Sequence, residues 1–222
     1  MSDWVAENRA LTISEMENNA DIIISYYRSL NYADKTIASI LGNMQAESSI
    51  SPVRTEVGGQ GYGLVQWTPV SKLQSHCNTL GLSPYTSGDV QIEVLDKELG
   101  TSYGINSWYT SRAFINNYLS SGATPDMIGV TADEFKRNTN NFTVNELAVL
   151  FMVGYERPST NPAVNHSTTR QMMSRQWYEY MGGTPTPPTP PTPPIPPFPP
   201  PFVGTGKGRG RRAVIFKHKY LQ

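Results

Sequence analysis

The 222-residue sequence predicts an α+β protein, mainly helical, with one short β element, then a proline-rich arm and a basic tail. Three observations predict it. Ser/Thr-x-x-Glu capping boxes recur, at Ser14/Glu17, Thr131/Glu134 and Thr143/Glu146. Apolar residues between them recur at i, i+3, i+4 and i+7, the spacing of one helix face. Val53 to Trp67 holds the one glycine-dense segment of the body, flanked by Val, Tyr and Trp, which reads as a small β-hairpin or loop.

Taken in order, the first box opens a helix carrying Ile22, Ile23, Tyr26 and Leu30. A second helix, Asp34 to about Ser48, presents Ile37, Ile40, Leu41 and Met44 as a core stripe. A third has Thr68 as N-cap, Pro69 in its first turn, the stripe Val70, Leu73, Cys77 and Leu80, and Gly81 as its stop. Helices are also predicted over 107–119 and 167–181. The third box opens Leu147 to Phe151, apolar nearly all round and therefore central.

Domain boundaries follow composition. Residues 1–181 form the packed body. Residues 182–203 are a spacer, because 12 of the 17 residues from Pro185 to Pro201 are proline and favour polyproline II. Extended, Thr184 to Pro201 spans roughly 55 Å at about 3.1 Å per residue. It reads as a stiff arm, with a ligand for an aromatic groove as the sharper alternative. Residues 204–222 are a basic Gly/Arg/Lys tail.

The formal net charge of zero is a cancellation. All 18 acids lie at or before Glu179 with 12 of the bases, giving −6, and the other six bases lie within 207–222. The tail is expected to dock on a partner protein or, through 207–219, on an anionic polymer. One cysteine excludes an internal disulfide framework. The N-terminus has early acids and no basic flank, so no signal peptide is expected, and no apolar run approaches the roughly 20 residues of a membrane span.

Chemistry concentrates at the end of the second helix. Three residues beyond Met44 on the core stripe stands Glu47. A carboxyl there is partly desolvated, which raises its pKa and suits a general acid; the alternative is an outward residue ending the helix in solvent. The run Ile40-Leu-Gly-Asn-Met-Gln-Ala-Glu47-Ser48-Ser-Ile-Ser-Pro52, followed by Gly61-Tyr-Gly-Leu-Val-Gln66-Trp67-Thr68, resembles the signature of phage tail-type lysozymes. It is more distantly similar to the Glu-Ser … Gly-Leu-x-Gln pattern of lytic transglycosylases and goose-type lysozymes. Phe151 to Pro158 (FMVGYERP) resembles a later element of the tail-lysozyme pattern.

The resemblance implies a lysozyme-like fold, a peptidoglycan substrate and Glu47 as the acid that protonates the glycosidic oxygen. It implies sugar contacts by Gln66, with Tyr62, Trp67 and Tyr155 as aromatic candidates. Trp67 reads equally well as core. The second carboxylate is open: Glu56 is the candidate base, and Glu156 reads as structural, pairing with Arg157 or Arg54. Without a second carboxylate, the single-acid transglycosylase route ending in an anhydro sugar gains weight.

Other constellations are poor. His76 and Cys77 are sequence neighbours on different faces of one helix. Three scattered histidines give no metal-ligand spacing, and no cofactor is expected. The expected role is a virion-carried, tail-associated muramidase acting on the host wall during phage entry, made in the host cytoplasm. The alternatives are a non-catalytic wall-binding tail component and a lysis-stage endolysin.

Overall fold

The computed structural model describes residues 3–100 and 102–184; the proline-rich arm beyond Thr184 and the basic tail lie outside them. The described residues are mainly helical. No helix among them is long and apolar enough to cross a membrane.

Helix α1, Ile13–Ser29, starts two residues before the predicted position. Thr12 is the N-cap and forms the reciprocal box with Glu15. Both Thr12/Glu15 and Ser14/Glu17 fit the box, and the choice falls on the one that puts apolar Leu11 and Met16 at the staple positions, both buried. Helix α2, Asp34–Ser48, lies at the centre and packs chiefly on α9, Ser167–Tyr180, and α7, Val144–Phe151. Ile37, Ile40, Leu41 and Met44 are fully buried as the spacing predicts, but Thr36, Ser39, Gly42 and Asn43 on its other faces are buried too.

At Gly42, α2 and α9 approach closely. A Cβ there would stand 2.1 Å from Ser174 Oγ and 2.5 Å from Ser174 N. Gly42→Ala is expected to destabilise the protein by about 2 kcal/mol, overpacking outweighing the better helix propensity of Ala. Urea unfolding measures this, and a stabilised variant would refute the tight crossing.

The remaining helices surround that centre. α3 is Val70–Leu80, closed by Gly81 at φ 68°. α4 is Gly88–Glu98, and α5, Arg112–Asn116, is much shorter than the helix predicted over 107–119. Residues 107–111 lie outside any helix, and groups within them bond to other segments. Tyr109 N–H donates to Gly154 O (2.9 Å), and Trp108 Nε1 donates to Val130 O (2.9 Å). α6, Ala132–Arg137, has the predicted Thr131/Glu134 box, and α7 has Thr143/Glu146. α7 runs on into a π-helical turn, Met152–Glu156, closed by Arg157 N–H on Met152 O (2.7 Å). α8 is Pro162–Asn165.

The glycine-rich segment forms two isolated antiparallel bridges, Thr55 with Tyr62 and Tyr62 with Trp67, in place of a strand hairpin. Side chains from outside the segment hold it. Gln91 accepts from Leu64 N–H (3.0 Å) and donates to Pro52 O (2.7 Å). Ser48 Oγ donates to Leu64 O (2.9 Å), tying the end of α2 to this loop.

Candidate active site

A cleft of about 400 Å³ opens between the end of α2, the glycine-rich loop and the π turn after α7. Glu47, Glu56, Gln66 and Glu156 line it, with Arg54 at one side. A smaller branch of about 180 Å³ shares Val65, Gln66, Thr68 and Glu156 with it and adds Trp67, Lys72, Tyr155 and Arg157. The total is in the size range of ligand clefts.

Backbone strain gathers around this cleft. Ser49 and Ile50 after α2, Gln66 in the loop and Arg157 after the π turn all have φ between 50° and 55°. That region is costly for residues with a Cβ, and most of all for β-branched Ile50. Ile50 is retained there by complete burial and by Asn19 Nδ2, which donates to its carbonyl (2.9 Å).

Glu47 sits in the last turn of α2 with its side chain one-fifth exposed. Its surroundings are less apolar than the stripe suggests, because Arg170 of α9 reaches across and pairs with it through Nη2. Arg170 is nearly buried. Its Nε donates to Asn165 O (3.0 Å) and its Nη1 to Asn43 Oδ1 (2.9 Å), so its guanidinium is fixed on three sides.

The desolvated carboxyl of the cleft is Glu156. It forms no ion pair with Arg157 or Arg54, which corrects the structural pairing expected from sequence. Arg157 instead donates to Ser107 O (3.0 Å) and lies over the Tyr109 ring at 4.8 Å. Oε1 of Glu156 is sealed from solvent and has no hydrogen-bond partner among the described residues. Burial, and next the charge of Glu47, push its pKa well above the ordinary carboxylate range, with Arg170 and Lys72 opposing. The π turn accounts for the placement, since one extra residue in the last turn rotates Glu156 relative to an α-helical continuation.

A raised folded pKa makes the stability contribution of Glu156 greatest below the unfolded value of about 4.3, and lost as pH rises through the folded value. Glu156→Gln is therefore expected to stabilise the protein at pH 7 by about 0.5–2 kcal/mol. The gain should vanish at pH 4. Urea unfolding at the two pH values checks this, and an equal loss at both would contradict it.

The other sequence-predicted residues divide. Glu56 is exposed, and its Oε2 accepts from Gln60 N–H and Gly61 N–H (both 3.1 Å), so it braces its own turn at the cleft rim. Gln66 lines the cleft, while its Nε2 donates to Arg54 O (3.1 Å) and Gly63 O (3.0 Å). Tyr62 is not among the lining residues and packs edge-on against Tyr85 at 5.5 Å. Trp67 and Tyr155 are buried walls of the branch.

Trp67 and Tyr155 converge on Glu98, a residue with no flag in the sequence reading. Its carboxylate is fully buried at the end of α4. Trp67 Nε1 donates to Oε2 (2.9 Å), as does the Tyr155 hydroxyl. His76 Nδ1 lies 2.7 Å from Oε1, and Lys72 Nζ lies 3.6 Å from it. Burial opposes the charge of Glu98, but His76, Lys72, Tyr155 and Trp67 together hold its pKa below the ordinary range. No group of three or more His, Cys, Asp or Glu among the described residues is arranged to hold a metal ion.

Residues 18–181 match the family described as phage tail lysozyme. Morphogenesis protein 1 of Bacillus phage B103 is 29% identical over 185 residues, a stretch covering 81% of this chain and 44% of that relative. The chain thus spans less than half the length of that curated relative.

Proposed function

The chain belongs to the phage tail lysozyme family, and from that premise we propose that it cleaves the glycan of bacterial peptidoglycan with Glu47 as the general acid. The observation that carries this reading is the pair of carboxyls on one cleft, Glu47 held by Arg170 and half-buried Glu156 with its Oε1 sealed and unpartnered among the described residues. Burial and the charge of Glu47 favour the protonated form of Glu156, so the cleft that Glu47 lines also holds an acidic proton. Glu47 is the member that stands in the Glu-Ser motif, and we assign it delivery of that proton to the leaving oxygen. Glu156, left charged once that proton sits on Glu47, offsets the positive charge developing at the anomeric carbon.

Gln66 is proposed to contact sugar from the cleft wall. Trp67 and Tyr155 act from beneath by fixing that wall, and Tyr62 supports the loop. Glu56, engaged with its own turn, is not the favoured base. That engagement, together with the sealed oxygen of Glu156, also supports a transglycosylase reading, in which no water need be activated.

The test is incubation of purified cell walls with the protein and mass spectrometry of the soluble products. Reducing ends are expected for a muramidase, and 1,6-anhydro ends would assign the transglycosylase route. Wall binding without any release would overturn the enzymatic reading and leave a structural wall-binding component.

We further propose that residues 1–181 are the cutting domain, 182–203 a spacer and 204–222 an attachment tail for another tail protein. Residues 207–219 have the charge to contact an anionic polymer. The family description and the name of the phage relative support a place in the phage tail, opening the host wall during entry. Detection of the chain in purified particles would separate this from a lysis-stage endolysin.

A further inference from the structure

We propose that the branch lined by Lys72 and Arg157 binds a carboxylate of the peptide stem that muramic acid carries, so that stem-bearing glycan is the preferred substrate. This rests on the glycan-cleaving reading and adds a second recognition site to it. Charge differs between the two parts of the cleft, with Glu156 common to both and Arg54 on the main part. Glu47 and Glu56 line the main cleft, whereas the branch brings in two cations beyond Gln66 and Glu156.

Both cations are held in place with donors to spare. Lys72 Nζ stands 3.6 Å from Glu98 Oε1, beyond a normal hydrogen bond, and makes none with the described residues. Glu98 Oε2 accepts from Trp67 and Tyr155, and Oε1 lies 2.7 Å from His76 Nδ1, so the Lys72 ammonium adds charge near Glu98 but spends none of its N–H donors on it. The Lys72 side chain is one-third exposed. It also sits in the first turn of α3, where the helix dipole disfavours a cation, so helix stability does not account for it.

Arg157 uses Nη1 on Ser107 O and rests on the Tyr109 ring, which fixes the guanidinium and leaves its other N–H groups unengaged. An uncharged sugar chain matches neither cation. The group on peptidoglycan that does is the stem, which leaves the muramic lactyl ether as a peptide bearing an acidic residue and a free terminal carboxylate. Lysine and arginine donating to one carboxylate form strong charge-assisted hydrogen bonds. At about 180 Å³ the branch admits the first part of such a stem and no second glycan.

The test compares soluble glycan strands bearing stems with the same strands stripped by an amidase. Wild type is expected to show a kcat/KM on the order of tenfold or more higher on stem-bearing strands. Lys72→Met should bring that ratio toward one, and Lys72→Arg should restore it. If Lys72→Met fails to fold, Lys72→Gln takes its place. Independently of cleavage, an NMR titration with N-acetylmuramyl-alanyl-glutamate should show wild-type binding about tenfold tighter than Lys72→Met binding, with N-acetylglucosamine unaffected by the substitution.

Equal cleavage of both strands by wild type, or dipeptide binding indifferent to Lys72, overturns the proposal while leaving a glycosidase. Lys72-dependent dipeptide binding without cleavage of either strand keeps the stem site and removes the glycosidase reading. Absence of both removes the two together.

Discussion

Glu47→Gln is expected to lower muropeptide release from purified walls on the order of a thousandfold, with the loss in kcat and little change in KM. Gln keeps the length and an oxygen for Arg170, but it has no proton to give. Binding of glycan by Gln66 and the cleft walls is shared by the ground and transition states and should survive. Arg170 loses a charged partner yet keeps Asn43 and Asn165, so the unfolding free energy should fall by no more than about 2 kcal/mol. Release at the wild-type rate would remove Glu47 from the mechanism. If Glu47→Gln stays active and Glu156→Gln does not, the proton is delivered by Glu156.

That prediction rests on a residue the sequence singled out, and the reason is local. Glu47 stands seven residues from Ile40 and three from Met44, so helix geometry alone brings it to the inner face of α2. Caps at Thr131 and Thr143 and the stop at Gly81 were legible for the same reason, since each is decided within about four residues.

What the sequence hid is what distant segments decide. Arg170 is 123 residues from Glu47 and carries no local mark. Helix α4 escaped because its inner face mixes Ile92 and Leu95 with Gln91, Asp96 and Glu98, polar residues that break an apolar stripe. Each is buried because another segment satisfies it. Gln91 holds the glycine-rich loop, Asp96 takes Tyr32 (2.8 Å) and Lys136 (2.8 Å), and Glu98 takes Trp67 and Tyr155. The desolvation of Glu156 belongs to the same class, because a π turn is invisible to a 3.6-residue period.

Glu98→Ala is the second large effect, and it falls on stability first. Removing the carboxylate leaves the Trp67 indole N–H, the Tyr155 hydroxyl and His76 Nδ1 facing a void, with the Lys72 charge beside it. Breaking a buried charged network by removing one member costs about 3–5 kcal/mol. That is a large part of the 5–15 kcal/mol a domain typically has, so urea unfolding should shift strongly. Glu98→Gln keeps the volume and one acceptor and should cost less, about 1–2 kcal/mol. The sign with pH is opposite to that of Glu156. A depressed folded pKa contributes stability above the unfolded value of about 4.3, lost as pH falls through the folded value, so the wild-type advantage over Glu98→Gln should shrink in acid. A pH-independent difference would mean that Glu98 acts as volume, not as charge. The effect reaches the chemistry because Trp67 adjoins Gln66 and Tyr155 adjoins Glu156 in the chain. One carboxylate thereby anchors the glycine-rich loop and the π turn to α4 and sets the distance between the two walls of the cleft.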